Sequence, residues 1–300
     1  MADLYPALLT LTNEPGTDSC AADPSVDRNA TRQYLEWIQS SQRSDGLFVL
    51  GSTGSGPILS WRHQQEALTL IADAAQAPVI VMVGSVLPYG PLIEKVSWLR
   101  SQHFAAIAIL PPLYYDFPPD AQVETMSNAA RCWPGDVWLY NIPARVGYSL
   151  SHETVARIVD RCPNVVGIKD SSGDASSVPV WRQIFDGRGR VFCGAEPVAV
   201  ASLLTGADGL VSQYASVLPE VGRVLATEDD PRRHEIQASL NRLARRSAHL
   251  PLISLLGEIG FRRGILPHRR QYPWPVLEET AADVVEEWLA LSHAAGVVRH

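Results

Sequence analysis

The amino-acid sequence predicts an α/β fold, namely a (β/α)8 TIM barrel followed by a C-terminal helical extension. Short apolar runs recur over the first three quarters of the 300-residue chain, and longer amphipathic segments lie between them. The runs are almost continuously apolar instead of alternating, which is typical of parallel strands that are covered on both faces. Eight strand–helix units are the number that closes such a barrel.

The predicted elements follow one another in the order that a barrel requires. Strands are predicted at 7–11, 46–50, 79–83, 106–110, 137–141, 165–169, 190–193 and 209–212. Helices are predicted at 31–38, 60–75, 92–102, 151–161 and 197–204, with Ser60 as the N-cap of the second helix. A doubly wound open sheet is the alternative, but it usually has fewer strands, and no Gly-x-Gly-x-x-Gly motif opens the first helix.

The strand pattern stops after about residue 217. Residues 234–248 and 281–295 have helical patterns, and a link rich in proline and arginine, 262–275, joins them. We therefore expect a catalytic barrel domain over residues 1–225 and a helical extension over residues 226–300. The extension is too short to be a catalytic unit of its own.

Composition and charge exclude several classes of protein. A formal net charge of −7 argues against nucleic acid or an anionic membrane as the partner, because both favour positive charge. No apolar run is long enough to span a bilayer, and no signal peptide is evident. We therefore expect a cytoplasmic protein with reduced thiols. Its cysteines lack the spacing of a disulfide framework or a metal site, and they are Cys20, Cys132, Cys162 and Cys193.

A lysine ends the sixth predicted strand. Lys169 follows the apolar run 165–168 and precedes a turn-forming Asp-Ser-Ser-Gly, and the chain has one other lysine, Lys95. Burial of a lysine amine disfavours its charged form and leaves a nucleophile that can form a Schiff base. Arginine cannot do this, because its guanidinium stays protonated. The alternative is a lysine that extends from a strand end into solvent.

Polar side chains follow several other strands, at the end where TIM barrels carry their catalytic groups. The second strand ends in Gly-Ser-Thr-Gly-Ser-Gly at 51–56, whose amides and hydroxyls suit a carboxylate or phosphate. The other candidates at strand ends are Tyr114, Tyr115, Tyr140, Arg145, Gly194, Glu196 and Ser212.

Together these groups suit Schiff-base chemistry on a 2-oxo acid. An amine attacks the ketone, a phenol moves protons to and from the carbinolamine, and amide donors hold the carboxylate. Each residue also has a simpler interpretation. Tyr140 would then be a core tyrosine, Arg145 a surface arginine and Glu196 a helix cap.

Three segments resemble the signatures of the dihydrodipicolinate synthase/N-acetylneuraminate lyase family. They are Gly-Ser-Thr-Gly at 51–54, Tyr-Asn-Ile-Pro-Ala-Arg at 140–145 and Gly-Ile-Lys-Asp-Ser-Ser-Gly-Asp at 167–174, with a further match in Gly-Ala-Asp-Gly at 206–209. The resemblance runs in order from about residue 5 to 225. It implies a class I aldolase, usually a homotetramer, that acts on pyruvate and an aldehyde and uses no metal or organic cofactor.

The same resemblance implies roles for single residues. Lys169 would form the imine, Tyr140 would move protons, and Ser52 would connect Tyr140 to a second tyrosine. Tyr115 matches a tyrosine that enters the neighbouring subunit's site, so a dimer or tetramer would be part of the catalytic unit. The implied substrate contacts are Thr53, on the pyruvate carboxylate, and Arg145, Gly194, Glu196 and Ser212.

The identity of the aldehyde stays open. Arg145 matches the arginine with which the synthases receive the carboxylate of aspartate semialdehyde, and this favours the 4-hydroxy-tetrahydrodipicolinate synthase reaction. Three features depart from the synthases: a serine at position 52 where they usually have threonine, Ser55 in place of an acidic residue, and Gln213-Tyr214 in place of small residues.

Two alternatives therefore remain. One is an aldolase or dehydratase for 2-keto-3-deoxy sugar acids or N-acetylneuraminate, although Pro197 replaces an acidic sugar contact of the sialic acid lyases. The other is an inactive ligand-binding or regulatory barrel. Retention of both Lys169 and Tyr140 argues against the inactive barrel, since a binding protein needs no imine-forming amine.

Overall fold

Eight parallel strands form the centre of the structure, which is a computed structural model that describes residues 1–13, 25–40, 44–84 and 90–296. Their order is β1-β8-β7-β6-β5-β4-β3-β2, and a parallel bridge between Ala7 and Phe48 joins the two ends of this order. The predicted TIM barrel is confirmed. The strands are β1 (Asp3–Pro6), β2 (Leu47–Val49), β3 (Val79–Val83), β4 (Ala106–Ile109), β5 (Asp136–Asn141), β6 (Val165–Asp170), β7 (Arg190–Cys193) and β8 (Gly209–Ser212).

Helices alternate with these strands and continue beyond them. Those of the barrel are α1 (Arg28–Ser40), α2 (Trp61–Ala74), α3 (Gly90–Leu99), α4 (Pro119–Cys132), α5 (Pro143–Val146), α6 (His152–Arg161), α7 (Ser177–Phe185) and α8 (Ala199–Leu204). Four more follow β8, and they are α9 (Pro219–Ala226), α10 (Arg233–Arg246), α11 (Leu252–Arg262) and α12 (Ala282–Gly296). None of the helices in the described ranges is long and apolar enough to cross a membrane.

The barrel strands are buried on both faces, as their continuous apolar runs predicted. Alternate residues of β5 illustrate this, because Leu139 packs outward against the helices while Trp138 and Tyr140 pack inside the barrel. In β6 the same alternation turns Ile168 outward and Lys169 inward. The inward residues at the carboxyl ends of the strands therefore face a common space.

The first strand was predicted wrongly. β1 is Asp3–Pro6, paired in register with Gly209–Ser212, and the predicted run 7–11 follows it and contributes one bridge, at Ala7. Leu8, Leu9 and Leu11 are nevertheless at most 5% exposed. Their apolar character thus reflects burial in the segment that leaves the barrel, which periodicity cannot distinguish from a strand.

Five helices, α4, α5, α7, α9 and α11, were not predicted, because proline and glycine obscured their patterns. α4 and α9 both begin at a proline, and proline fits the first turn of a helix, where its missing N–H is not needed. α11 contains Gly257 and Gly260, and it extends to the start of the predicted link. A Cβ on Gly257 would lie 2.4 Å from the Arg269 carbonyl oxygen, so the glycine permits close approach of this chain segment.

The C-terminal helices share the apolar core of the barrel. Residues of α11 and α12 belong to the same buried cluster as the outward faces of the strands, and Trp288 stacks on Tyr214 with 4.4 Å between ring centroids. The division into domains 1–225 and 226–300 stays a prediction. Cys132, Cys162 and Cys193 are free thiols, and Cys20 lies outside the described residues.

A buried carboxylate ties the end of β6 to β5 and α7. Asp170 is 5% exposed, and its Oδ1 accepts hydrogen bonds from Asn141 Nδ2 and the Ser172 amide, both at 2.9 Å. Its Oδ2 accepts from Ser177 Oγ and Trp181 Nε1, both at 2.7 Å. Four donors compensate the lost hydration of the carboxylate. Because this residue directly follows the lysine of β6, the network fixes the backbone that carries the lysine.

Replacing this carboxylate is expected to destabilise the protein strongly. Asp170→Ala should lower the free energy of unfolding by about 3 kcal/mol, because it leaves buried donors without an acceptor. Chemical unfolding followed by circular dichroism measures the loss. The matched control is Asp160→Ala on the exposed face of α6, which should change stability by less than about 0.5 kcal/mol. Equal losses in the two variants would contradict the assignment.

Candidate active site

A cavity of about 1030 Å³ lies at the carboxyl ends of the barrel strands. Side chains of the strand ends line its inner part, and residues between positions 244 and 255 line part of its outer wall. Six of the nine predicted site residues line the cavity, and they are Ser52, Thr53, Tyr140, Arg145, Lys169 and Gly194.

Lys169 and Tyr140 face each other inside this cavity. They are direct partners in the parallel pairing of β5 and β6, and Lys169 Nζ donates a hydrogen bond to Tyr140 Oη at 3.0 Å. Lys169 is 5% exposed and Tyr140 is 3% exposed. A proton can therefore pass between the amine and the phenol without an intervening water.

Aromatic rings surround the lysine amine. Nζ lies 3.9 Å from the centroid of the Phe48 ring and 4.1 Å from that of the Tyr140 ring, and the two rings pack edge to face. Among the residues that the structure describes, no carboxylate forms an ion pair with Lys169. The phenol is thus the side-chain hydrogen-bond partner of the amine.

The end of β7 leaves room for the lysine side chain. A Cβ on Gly194 would lie 2.7 Å from Lys169 Cε and 2.2 Å from Ser171 Oγ. Ser171, which the sequence analysis did not single out, lines the cavity two residues after the lysine, and its buried hydroxyl has no hydrogen-bond partner within the described chain. The period of two along a strand is the signal that would have placed Ser171 on the same face as Lys169.

The turn after β2 brings Ser52 and Thr53 to the cavity. Thr53 is 5% exposed, and the backbone enters the left-handed region at Leu50 (φ 57°) and Ser55 (φ 54°). A Cβ on Gly56 would lie 1.9 Å from the Leu50 carbonyl oxygen, so only glycine lets the turn close in this way. The predicted anion cradle therefore has a tight, fixed backbone.

Two residues outside the turn hold it in place. Gln64 Nε2, from α2, donates hydrogen bonds to the Gly56 carbonyl oxygen at 2.8 Å and to that of Leu59 at 2.9 Å. Trp274 Nε1 donates to Ser55 Oγ at 3.0 Å. The segment that precedes α12 thus helps to position a turn more than two hundred residues earlier in the chain.

Glu196 and Ser212 do not line the cavity, and they form a buried network with each other. Glu196 Oε1 accepts hydrogen bonds from Ser212 Oγ at 3.0 Å, the Gln213 amide at 2.5 Å and the Tyr214 amide at 3.3 Å. Burial raises the pKa of Glu196, and these donors oppose the rise. The network fixes the loop whose Gln213 and Tyr214 line the cavity. The predicted substrate contacts of Glu196 and Ser212 stay predictions.

Arg145 lies at the cavity, whereas Tyr115 lies outside it. Arg145 lies on α5, lines the cavity and is exposed. Tyr115 is 64% exposed, packs edge to face on Tyr114 with 4.9 Å between ring centroids, and does not line the cavity. Its predicted place in a neighbouring subunit's site stays a prediction.

The outer part of the cavity extends beyond the predicted site. Trp61, Lys95, Leu250, Leu252 and Trp274 line it. The sequence predicts that the region after residue 225 forms helices that pack on the barrel. The apolar sequence 250–256 was the available signal, but its approach to the strand ends depends on tertiary packing.

Comparisons with known proteins agree with this geometry. The sequence model of the dihydrodipicolinate synthetase family matches residues 18–280. The 4-hydroxy-tetrahydrodipicolinate synthase of Synechococcus sp. (strain CC9605) is 34% identical over 223 residues, which are 71% of this chain and 70% of that protein. The synthase of Parasynechococcus marenigrum (strain WH8102) is 32% identical over 219 residues, 70% of this chain and 68% of that protein.

Solved structures with lower sequence identity share the fold. Sialic acid aldolase of Ruminococcus gnavus superposes with a TM-score of 0.87 at 19% identity and covers 98% of this chain and 97% of that chain. The 4-hydroxy-tetrahydrodipicolinate synthase of Methylacidiphilum fumariolicum SolV has a TM-score of 0.84 at 21% identity, with 98% and 97% covered.

The family assignment follows from the sequence matches. The family model covers most of the chain, and relatives above 30% identity align over more than two thirds of both proteins. The range matched by the family model, 18–280, includes the lysine, the tyrosine and the glycine-rich turn. The chain therefore belongs to the dihydrodipicolinate synthetase family.

Proposed function

We propose that the protein is a class I aldolase that joins pyruvate to an aldehyde through an imine on Lys169. The observation that carries this proposal is the 3.0 Å hydrogen bond between Lys169 Nζ and Tyr140 Oη inside the cavity. A ligand-binding or regulatory barrel needs neither a buried amine nor a phenol beside it. The synthase relatives support the same conclusion.

The two residues account for the proton transfers of imine formation. The Lys169 amine attacks C2 of pyruvate, and Tyr140 Oη passes one proton from the nitrogen to the C2 oxygen, which becomes the hydroxyl of a carbinolamine. A second proton, passed from the nitrogen along the same path, lets this hydroxyl leave as water and gives the imine. Transfer of a proton from C3 to the imine nitrogen then gives an enamine. Its C3 attacks the carbonyl carbon of the aldehyde, and water releases the product and regenerates the amine.

The glycine-rich turn is the proposed site of the pyruvate carboxylate. Ser52, Thr53 and Ser55 line the cavity, in a turn fixed by Gln64 and Trp274. Oriented amides and a hydroxyl stabilise an anion without reorganisation. Ser171, whose hydroxyl has no hydrogen-bond partner among the described residues, also lines the cavity and is a further candidate donor.

Aspartate semialdehyde is the proposed second substrate, as in 4-hydroxy-tetrahydrodipicolinate synthases. The exposed guanidinium of Arg145 at the cavity supports this, because it can form a bidentate contact with the aldehyde's carboxylate. The alternative is cleavage of a 2-keto-3-deoxy sugar acid by the same imine chemistry. A cavity of about 1030 Å³ favours a substrate longer than aspartate semialdehyde.

We further propose a cytoplasmic homotetramer. Free cysteines among the described residues support a reducing compartment. Tyr114 and Tyr115 are 76% and 64% exposed and form an aromatic patch, which supports contact with another subunit. In such an assembly Tyr115 would reach the cavity of the neighbouring subunit.

Reductive trapping tests the proposed imine. Incubation with pyruvate and borohydride should add one reduced pyruvyl group to Lys169, identified by peptide mass spectrometry. The peptide with Lys95, the one other lysine, is the internal control and should stay unmodified. Lys169→Arg should abolish the labelling, because a guanidinium forms no imine. A known class I aldolase, labelled in parallel, is the positive control. If it is labelled and Lys169 carries no adduct, the proposal is contradicted.

Removing the Arg145 guanidinium tests the second substrate. Arg145→Ala should raise the KM for aspartate semialdehyde about 10- to 100-fold, since a hydrogen-bonded charge contributes roughly 1.5–3 kcal/mol. The control is Arg161→Ala, which removes an exposed arginine at the end of α6 and should leave the KM unchanged. An unchanged KM in Arg145→Ala would show that this arginine does not receive the aldehyde's carboxylate.

A further inference from the structure

The second lysine of the chain lines the same cavity as the first. Lys95 belongs to α3, is half-buried, and its Nζ lies 3.4 Å from the Gly84 carbonyl oxygen and 5.5 Å from the centroid of the Trp61 ring. Gly84 and Trp61 also line the cavity. The amine of Lys95 is therefore at the cavity wall.

This amine has unused hydrogen-bonding capacity. An ammonium carries three donors, and the contact with Gly84 is long for an N–H···O bond. Within the described chain, no carboxylate forms an ion pair with Lys95, and its neighbour Glu94 is exposed. Burial lowers the pKa of Lys95, and the charge of Glu94 opposes this. An anion at the amine would replace the hydration that the ammonium group loses on burial.

The lining of the cavity is largely apolar. Its wall includes Ile58, Trp61, Leu250, Leu252 and Trp274. Burial of a ligand's hydrocarbon against such a surface is favourable. It would leave the hydroxyl groups of a sugar chain short of hydrogen-bond partners, which is unfavourable. The apolar wall therefore suits a ligand with a hydrocarbon or aromatic body.

The size of the cavity also indicates an extended ligand. Pyruvate and aspartate semialdehyde together have fourteen non-hydrogen atoms, which fill at most roughly 400 Å³ even at about 30 Å³ per atom, the volume of a liquid water. The cavity measures about 1030 Å³. More than half of it stays unfilled by those two substrates.

We propose that the site also accepts aldehyde acids longer than aspartate semialdehyde, and that Lys95 receives the anionic group at their far end, with an apolar body between that anion and the reacting carbonyl. This proposal rests on the proposed imine chemistry at Lys169 and extends it to the substrate class, an aldehyde acid longer than aspartate semialdehyde. Lys95 lies on α3, which follows β3, and Arg145 lies on α5, which follows β5, so the two cations reach the cavity from different units of the barrel.

A series of aldehyde acids tests the substrate class. The probes are ω-oxo carboxylates with three to seven carbons, each paired with the uncharged aldehyde of the same chain length. The wild-type protein should prefer the charged member of a longer pair by at least tenfold in kcat/KM. Lys95→Met, which keeps the hydrocarbon stem, should abolish this preference, and Lys95→Arg should retain it. Arg100→Met, at the exposed end of α3, is the matched control and should retain it as well.

A binding measurement separates this proposal from the proposed function. Hexanoate has neither a ketone nor an aldehyde and therefore forms no imine. Titration calorimetry should show that it binds Lys95→Met at least tenfold more weakly than the wild-type protein. Hexan-1-ol should bind the two proteins alike. Equal hexanoate affinity, or an unchanged preference for charged aldehydes in Lys95→Met, overturns the proposal for Lys95. Absence of the pyruvyl adduct on Lys169 instead overturns the proposed function, and leaves the hexanoate result to decide on Lys95.

Discussion

The hydrogen bond between Lys169 and Tyr140 depends on the register of two parallel strands. In that register the two residues are direct partners on the inner face of the barrel. A slip of one residue in either strand would turn its side chain out toward the helices. The carboxylate of Asp170 opposes such a slip, because it holds the end of β6 to Asn141 of β5. The residue beside the lysine thus fixes the geometry on which the lysine depends.

The site holds a buried lysine in a fixed position, although its surroundings are unfavourable for a charged group. Lys169 is buried against aromatic rings without a carboxylate partner among the described residues, although burial of an unpaired cation is unfavourable. The side chain passes over Gly194, where no Cβ would fit, and the residue is 5% exposed. In the proposed chemistry this amine, which lines the cavity, attacks a carbonyl carbon.

Sequence reasoning located the strands and the inner site well. β3, β7 and β8 have the predicted bounds, and six predicted residues meet in one cavity, because carboxyl ends of barrel strands converge by construction. The missed features depend on tertiary contacts. The apolar run 7–11 is buried without being a strand, and Glu196 turns to Ser212 and two backbone amides instead of the cavity. Lys95 was visible as a rare residue, but its place on the cavity wall depends on how α3 packs.

The rate at which pyruvate is trapped by borohydride in Tyr140→Phe tests the central claim most directly. Phenylalanine keeps the ring that packs on Phe48 and removes only the hydroxyl bonded to the lysine. The account predicts that the trapping rate falls about 10²- to 10⁴-fold, the usual contribution of a positioned acid or base. Tyr34→Phe, which removes a buried hydroxyl bonded to the Ser216 carbonyl oxygen, should label at the wild-type rate. Trapping of Tyr140→Phe at the wild-type rate would contradict the account.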